Sequence, residues 1–138
     1  MILPQFYTDD IIKRAILEDI NYVDVASDYL ISEEQRDEAY FVSKADGVLC
    51  GIDVAMRVFE LLDDSFTAKV YMHDGDKVKK GDLIAEFSGK TTLLLKGERT
   101  ALNLLQHMSG IATATAKAVK LCEGTKASIA DTRKTLPS

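Results

Sequence analysis

The chain has 138 residues, 46% of them hydrophobic and only two of them proline, which is the makeup of a folded domain with one sizeable core and excludes a disordered chain. A net charge of −5 weighs against nucleic acid or an anionic membrane as partner, since both recruit a basic surface. No apolar run is long enough to cross a bilayer, Met1–Asp10 lacks the basic start of a signal peptide, and the expected location is cytoplasmic. Cys50 and Cys122 stand far apart, and neither His73 nor His107 has a second ligand at metal-binding spacing, so reduced thiols and no metal site are expected.

In chain order, Thr8 is placed to cap a first helix, with Asp9 and Asp10 suited to its positive end and Ile11, Ile12, Ala15 and Ile16 forming its apolar face. Ser32-Glu33-Glu34-Gln35 has capping-box spacing and predicts a short helical turn. Ala39–Ser43 and Val48–Cys50 read as strands joined by a hairpin turn at Asp46-Gly47. Gly51-Ile52-Asp53 opens a second helix carrying Ala55, Met56, Phe59 and Leu62 on one face. Phe66–Met72 alternates as a strand, Asp74-Gly75 turns, Leu83–Phe87 resumes, and Thr91–Leu95 supplies one more strand. Together these predict an α+β fold, a mostly antiparallel sheet with helices on one side.

A long helix is expected between Gly97 and Gly124, from the three- and four-residue spacing of Ala101, Leu102, Leu105, Met108, Ile111 and Ala112. Its second half, Ser109 to Ala116, is rich in small side chains that allow a neighbouring backbone to approach closely. Ala127–Ala130 reads as a short buried strand, followed at its C-terminal end by Asp131-Thr132-Arg133-Lys134-Thr135. Strand tips of this kind bind anions in α/β sheets and barrels. Arg133 offers a fork matched to carboxylate or phosphate, and Lys134 a mobile point charge; solvated surface charge is the plainer alternative. Arg99 stands at the expected entrance of the long helix, where a cation opposes the helix dipole; this points to an external anion or to an ion pair with a nearby acid. Asn103 and Gln106 fit an interhelical hydrogen bond, and His107 fits packing.

Gly97-Glu98-Arg99-Thr100-Ala101-Leu102-Asn103-Leu104-Leu105-Gln106, continuing into Ser109-Gly110-Ile111-Ala112-Thr113-Ala114-Thr115, together with Asp131-Thr132-Arg133-Lys134-Thr135-Leu136-Pro137, closely resembles the N-terminal portion of quinolinate phosphoribosyltransferase. Weaker echoes include Glu18-Asp19-Ile20 and the Asp74-Gly75-Asp76 to Gly81-Asp82 region, while Asn21–Val25 departs from the family pattern. The resemblance implies an N-terminal α/β sandwich domain over residues 1–97. Residues 98–138 would then be the long helix and first strand of a truncated α/β barrel. It implies a homodimeric, Mg²⁺-dependent pentosyltransferase of NAD biosynthesis that converts quinolinate and phosphoribosyl pyrophosphate to nicotinate mononucleotide, pyrophosphate and carbon dioxide. Arg99 would reach a substrate carboxylate across the dimer, and Thr132, Arg133 and Lys134 would contact the dicarboxylate and the phosphoribosyl donor. Members of the family are about twice as long, so the metal ligands and the remaining catalytic residues are expected outside this chain, which alone would be inactive and, with an unpaired barrel strand, prone to self-association. A competing reading, a biotinyl- or lipoyl-like carrier, rests on the Val70–Gly89 hairpin rhythm, whose tip carries Asp74-Gly75-Asp76 in place of a presented lysine. A further alternative is a relative that binds dicarboxylates without turnover.

Overall fold

A computed structural model describes residues 4–20, 25–132 and 134. Its elements in order are α1 (Gln5–Asp19), α2 (Val25–Leu30), β1 (Arg36–Val42), β2 (Gly47–Val48), α3 (Ile52–Leu62), β3 (Thr67–Val70), β4 (Lys77–Val78), β5 (Leu83–Lys90) and α4 (Thr91–Cys122). β5 is the centre of an antiparallel sheet ordered β1-β5-β3, while β2 and β4 form a separate antiparallel pair. The expected α+β class and antiparallel sheet are what the chain adopts.

The core lies where α3 and α4 pack on this sheet. Ala55, Met56 and Phe59 of α3 are buried, as helical spacing requires, and Phe59 stacks on Phe66 and Phe87 at centroid distances of 5.3 and 5.0 Å. Phe41 closes the cluster edge-on to Phe87 at 4.9 Å. A buried aromatic of this size contributes about 1.5–3 kcal/mol, so these rings anchor the sheet to the helices.

Several local expectations are revised. α1 begins a turn before Thr8, with Pro4 at its N-cap, and Thr8 is buried inside the helix. Residues 32–35 do make the expected turn, Gln35 N–H bonding to the Ser32 carbonyl, but it leads straight into β1. Asp46-Gly47 joins no hairpin: β1 pairs with β5 and β2 with β4, so the chain crosses between sheets there. Thr91–Leu95 is helical. β5 runs into α4 without a loop because Lys90 N–H is received by Asp63, Thr91 N–H by the Gln35 carbonyl, and the Thr91 hydroxyl by Asp37 at 2.6 Å. The buried series Leu94, Gly97, Ala101 and Leu105 then follows helical spacing. Gly97, which reads as a boundary in sequence, is a contact point: a Cβ there would lie 2.8 Å from the Phe59 ring. Ala127–Ala130 forms no strand and is exposed, since an extended segment gains nothing without a partner edge to receive its amides.

The small-residue half of α4 does approach another backbone closely, as its composition suggests. Ser109 and Thr113, one helical turn apart, receive the N–H groups of Cys50 and Val48 at 3.0 and 2.9 Å. The Ser109 hydroxyl in turn donates to the Cys50 carbonyl at 3.1 Å. Two hydroxyls on a helix thus stand in for a strand partner along β2.

Candidate functional site

Arg99 is the ninth residue of α4, in its third turn, not at its entrance. The helix dipole therefore does not strain it, and the alternative explanation holds: its Nη1 donates to Asp19 Oδ1 at 3.0 Å across 80 residues of sequence. Asp19 is the last residue of α1 and half-buried, whereas the Arg99 side chain remains 74% exposed. Three residues earlier, Lys96 pairs with Asp28 but is only 19% exposed. Of the two cations, Lys96 is absorbed into the packing and Arg99 is presented outward.

Thr132 and Lys134 are exposed and share one local contact, the Lys134 N–H donating to the Thr132 hydroxyl at 2.9 Å. Arg133 lies outside the described residues. Everything from residue 123 to 132 is exposed, so the segment after α4 does not pack back on the helix. The 23 residue steps of helix from Arg99 to Cys122 carry the chain roughly 35 Å away at about 1.5 Å per residue. Among the described residues no hydrogen bond or ion pair joins Arg99 to Thr132 or Lys134.

Sequence reasoning did not find a groove of about 890 Å³ between β1 and α4. Phe41, Leu94, Leu102 and Leu105 line it, and Lys44 and Lys117 reach it; Arg99, Thr132 and Lys134 do not. It was invisible because its two walls, 39–46 and 94–117, are brought together only by the fold. Gln106 also reaches the groove, and Asn103, Gln106 and His107 are all exposed on α4, so among the described residues the first two make no interhelical hydrogen bond and His107 is not packed.

Other polar groups serve the scaffold. Asp74 Oδ1 receives Gly51 N–H and Ile52 N–H at 2.8 and 3.0 Å, capping α3 from the β3–β4 turn. Lys77 lies within β4 opposite Val48, not at a turn tip, which is unlike a carrier lysine. Cys50 and Cys122 are free and half-buried; burial pushes the Cys50 thiol up, and the Asp74 charge and its hydrogen bond push it further. Asp9 is held below the usual carboxylate range by the Arg57 guanidinium, whose Nε and Nη2 both bond to it at 2.9 Å. Among the described residues no three His, Cys, Asp or Glu side chains are arranged to hold a metal ion, and no helix is long and apolar enough to cross a membrane.

Residues 24–109 match the family model described as quinolinate phosphoribosyl transferase, N-terminal domain. A probable nicotinate-nucleotide pyrophosphorylase (carboxylating) of Bacillus subtilis is 40% identical over 127 residues, covering 92% of this chain and 44% of the relative. The Mycobacterium leprae nicotinate-nucleotide pyrophosphorylase (carboxylating) is 39% identical, covering 93% of this chain and 46% of its own. Among solved structures, NadC from Streptococcus pyogenes superposes with a TM-score of 0.94 at 37% identity, covering 99% of this chain and 49% of that one. The nicotinate-nucleotide pyrophosphorylase from Francisella tularensis superposes at 0.89 with 32% identity, covering 98% and 48%. The chain thus spans less than half the length of these relatives.

Proposed function

The chain belongs to the quinolinate phosphoribosyltransferase family, and from that premise we propose that it serves a pentosyltransferase of NAD biosynthesis. The reaction joins quinolinate to phosphoribosyl pyrophosphate, releasing pyrophosphate and carbon dioxide and leaving nicotinate mononucleotide. In this reading residues 1–97 are the α/β sandwich domain and 98–138 the helix and start of an α/β barrel, and the protein works in the cytoplasm. Arg99 binds a carboxylate of quinolinate, and Thr132, Arg133 and Lys134 contact the dicarboxylate and the donor. The chemistry suits these groups: two adjacent carboxylates favour forked guanidinium partners, and departure of pyrophosphate leaves an electron-poor ribose that needs fixed charges around it.

The observation that carries the reading is the Arg99 guanidinium, paired on one side yet largely exposed on the other. A homodimer accounts for its separation from Thr132 and Lys134, because a second copy can bring its own tail to the Arg99 face of the first. Mg²⁺ is implied by the family, and the described residues offer no cluster fitted to hold it.

The test is direct. The purified 138-residue chain should form no nicotinate mononucleotide from quinolinate and phosphoribosyl pyrophosphate, and should bind quinolinate weakly, with Arg133→Ala abolishing that binding in calorimetry. Turnover by the chain alone would refute its expected inactivity, and binding indifferent to Arg133→Ala would overturn the role given to Arg133. Light scattering showing a strict monomer across micromolar concentrations counts against the dimer.

A further inference from the structure

From the geometry around Arg99 we infer that Asp19 is a positioning residue, holding that guanidinium so that its unused donors face an incoming carboxylate. The inference rests on the reading of Arg99 as a substrate-binding residue and extends it to the end of a different helix.

Asp19 is in an unfavourable place for an acid. It closes α1, where unpaired carbonyls present partial negative charge, and no basic residue of α1 lies in its last turn. The compensating cation comes from α4, through the 3.0 Å contact of Arg99 Nη1 with Asp19 Oδ1. An exposed ion pair adds little to folding, because solvent screening and side-chain entropy offset its attraction. Its consequence for binding is larger. Arg carries four flexible bonds in front of a rigid fork, and freezing them when ligand arrives weakens association; a guanidinium already held at one nitrogen has much of that ordering done beforehand.

The geometry leaves the fork usable. Among the described residues Asp19 is the one hydrogen-bond partner of Arg99, and it engages Nη1, so Nε and Nη2 remain as the parallel donor pair that a carboxylate accepts. The neighbouring pair shows the alternative design. Lys96 with Asp28 is only 19% exposed and cannot offer its charge to a ligand, whereas Arg99, on the same side of α4, stays 74% exposed after pairing. Asp19 thus orients Arg99 without covering it.

The experiment follows the Arg99 Nε–Hε signal by ¹⁵N NMR in the 138-residue chain, with quinolinate as the titrant. In the wild type that signal should be ordered on the nanosecond scale and should shift with quinolinate. Asp19→Ala should make it mobile and weaken quinolinate binding about three- to tenfold, the range expected from unfreezing one long side chain. Asp19→Glu should restore most of both effects, and Asp19→Ala should add nothing in an Arg99→Ala background. A melting temperature unchanged in Asp19→Ala separates positioning from general destabilisation. An Arg99 signal equally ordered in Asp19→Ala, or affinity unchanged or tighter, overturns the inference while leaving the substrate role of Arg99 intact. A wild-type Arg99 signal indifferent to quinolinate overturns that role, and the positioning inference with it.

Discussion

Asp63 ties three elements together, and its removal should destabilise the fold more than any other single polar change. The side chain is 5% exposed at the C-terminal end of α3. Its Oδ1 receives the Ser65 N–H at 2.9 Å and the Ser65 hydroxyl at 2.6 Å, and its Oδ2 receives the Lys90 N–H at 2.8 Å, at the β5–α4 junction. The Ser65 hydroxyl and carbonyl in turn receive the Arg36 guanidinium of β1. Hydrogen bonds to a charged acceptor are worth about 1.5–3 kcal/mol each, and a stranded buried donor costs about 1–3 kcal/mol. Because these terms overlap, Asp63→Ala should cost about 3 kcal/mol, lowering Tm by roughly 10 °C. Burial pushes the Asp63 carboxyl up, but the Ser65 and Lys90 donors and the nearby Arg36 charge outweigh it, so its pKa falls below the ordinary 3.8. A depressed carboxyl contributes stability that is complete above the unfolded-state value and is lost as pH drops through the folded one. The gap between wild type and Asp63→Ala, measured by urea denaturation, should therefore be constant from pH 7 to about pH 5 and narrow below about pH 4. A gap under about 0.5 kcal/mol at pH 7, or one that widens on acidification, would refute the reasoning.

Gly47→Ala should destabilise by about 1–3 kcal/mol, since the new Cβ would lie 2.7 Å from Thr113 Oγ1, which is engaged with Val48; the effect should shrink in a Thr113→Ala background, read as a double-mutant cycle in urea. Additive losses would show that the two do not meet. Thr100→Val should raise stability by up to about 1 kcal/mol, because the Thr100 hydroxyl is buried without a hydrogen-bond partner among the described residues; a clear loss in Tm would reveal one. Asp74→Asn should lower the Cys50 thiol pKa by removing a like charge and an acceptor, seen as a downward shift in the midpoint of its alkylation rate against pH, followed by peptide mass spectrometry. An unmoved midpoint would assign the whole effect to burial.

What the sequence determined by itself was local and periodic. The apolar spacing of Ala55, Met56 and Phe59 specified α3, and the apolar residues of 83–87 specified a strand, because one face of each had to be buried whatever its partner. The Gly97–Gln106 and Ser109–Thr115 stretches, together with Asp131–Pro137, carried the family resemblance in the sequence alone, since they hold side chains in a specific order and not merely a periodicity. Tertiary structure decided the rest. Thr91-Thr92-Leu93-Leu94-Leu95 is compatible with strand or helix, and packing against α3 selects helix. Asp46-Gly47 looks like a hairpin, but pairing of β1 with β5, more than forty residues later, overrides the turn. Arg99 looked like a cation at a helix entrance, and the meeting of α1 with α4 supplied the acid that explains it. A short-range pattern records which face a segment must hide; which partner hides it, and which charge meets which, depends on contacts between residues far apart in the chain.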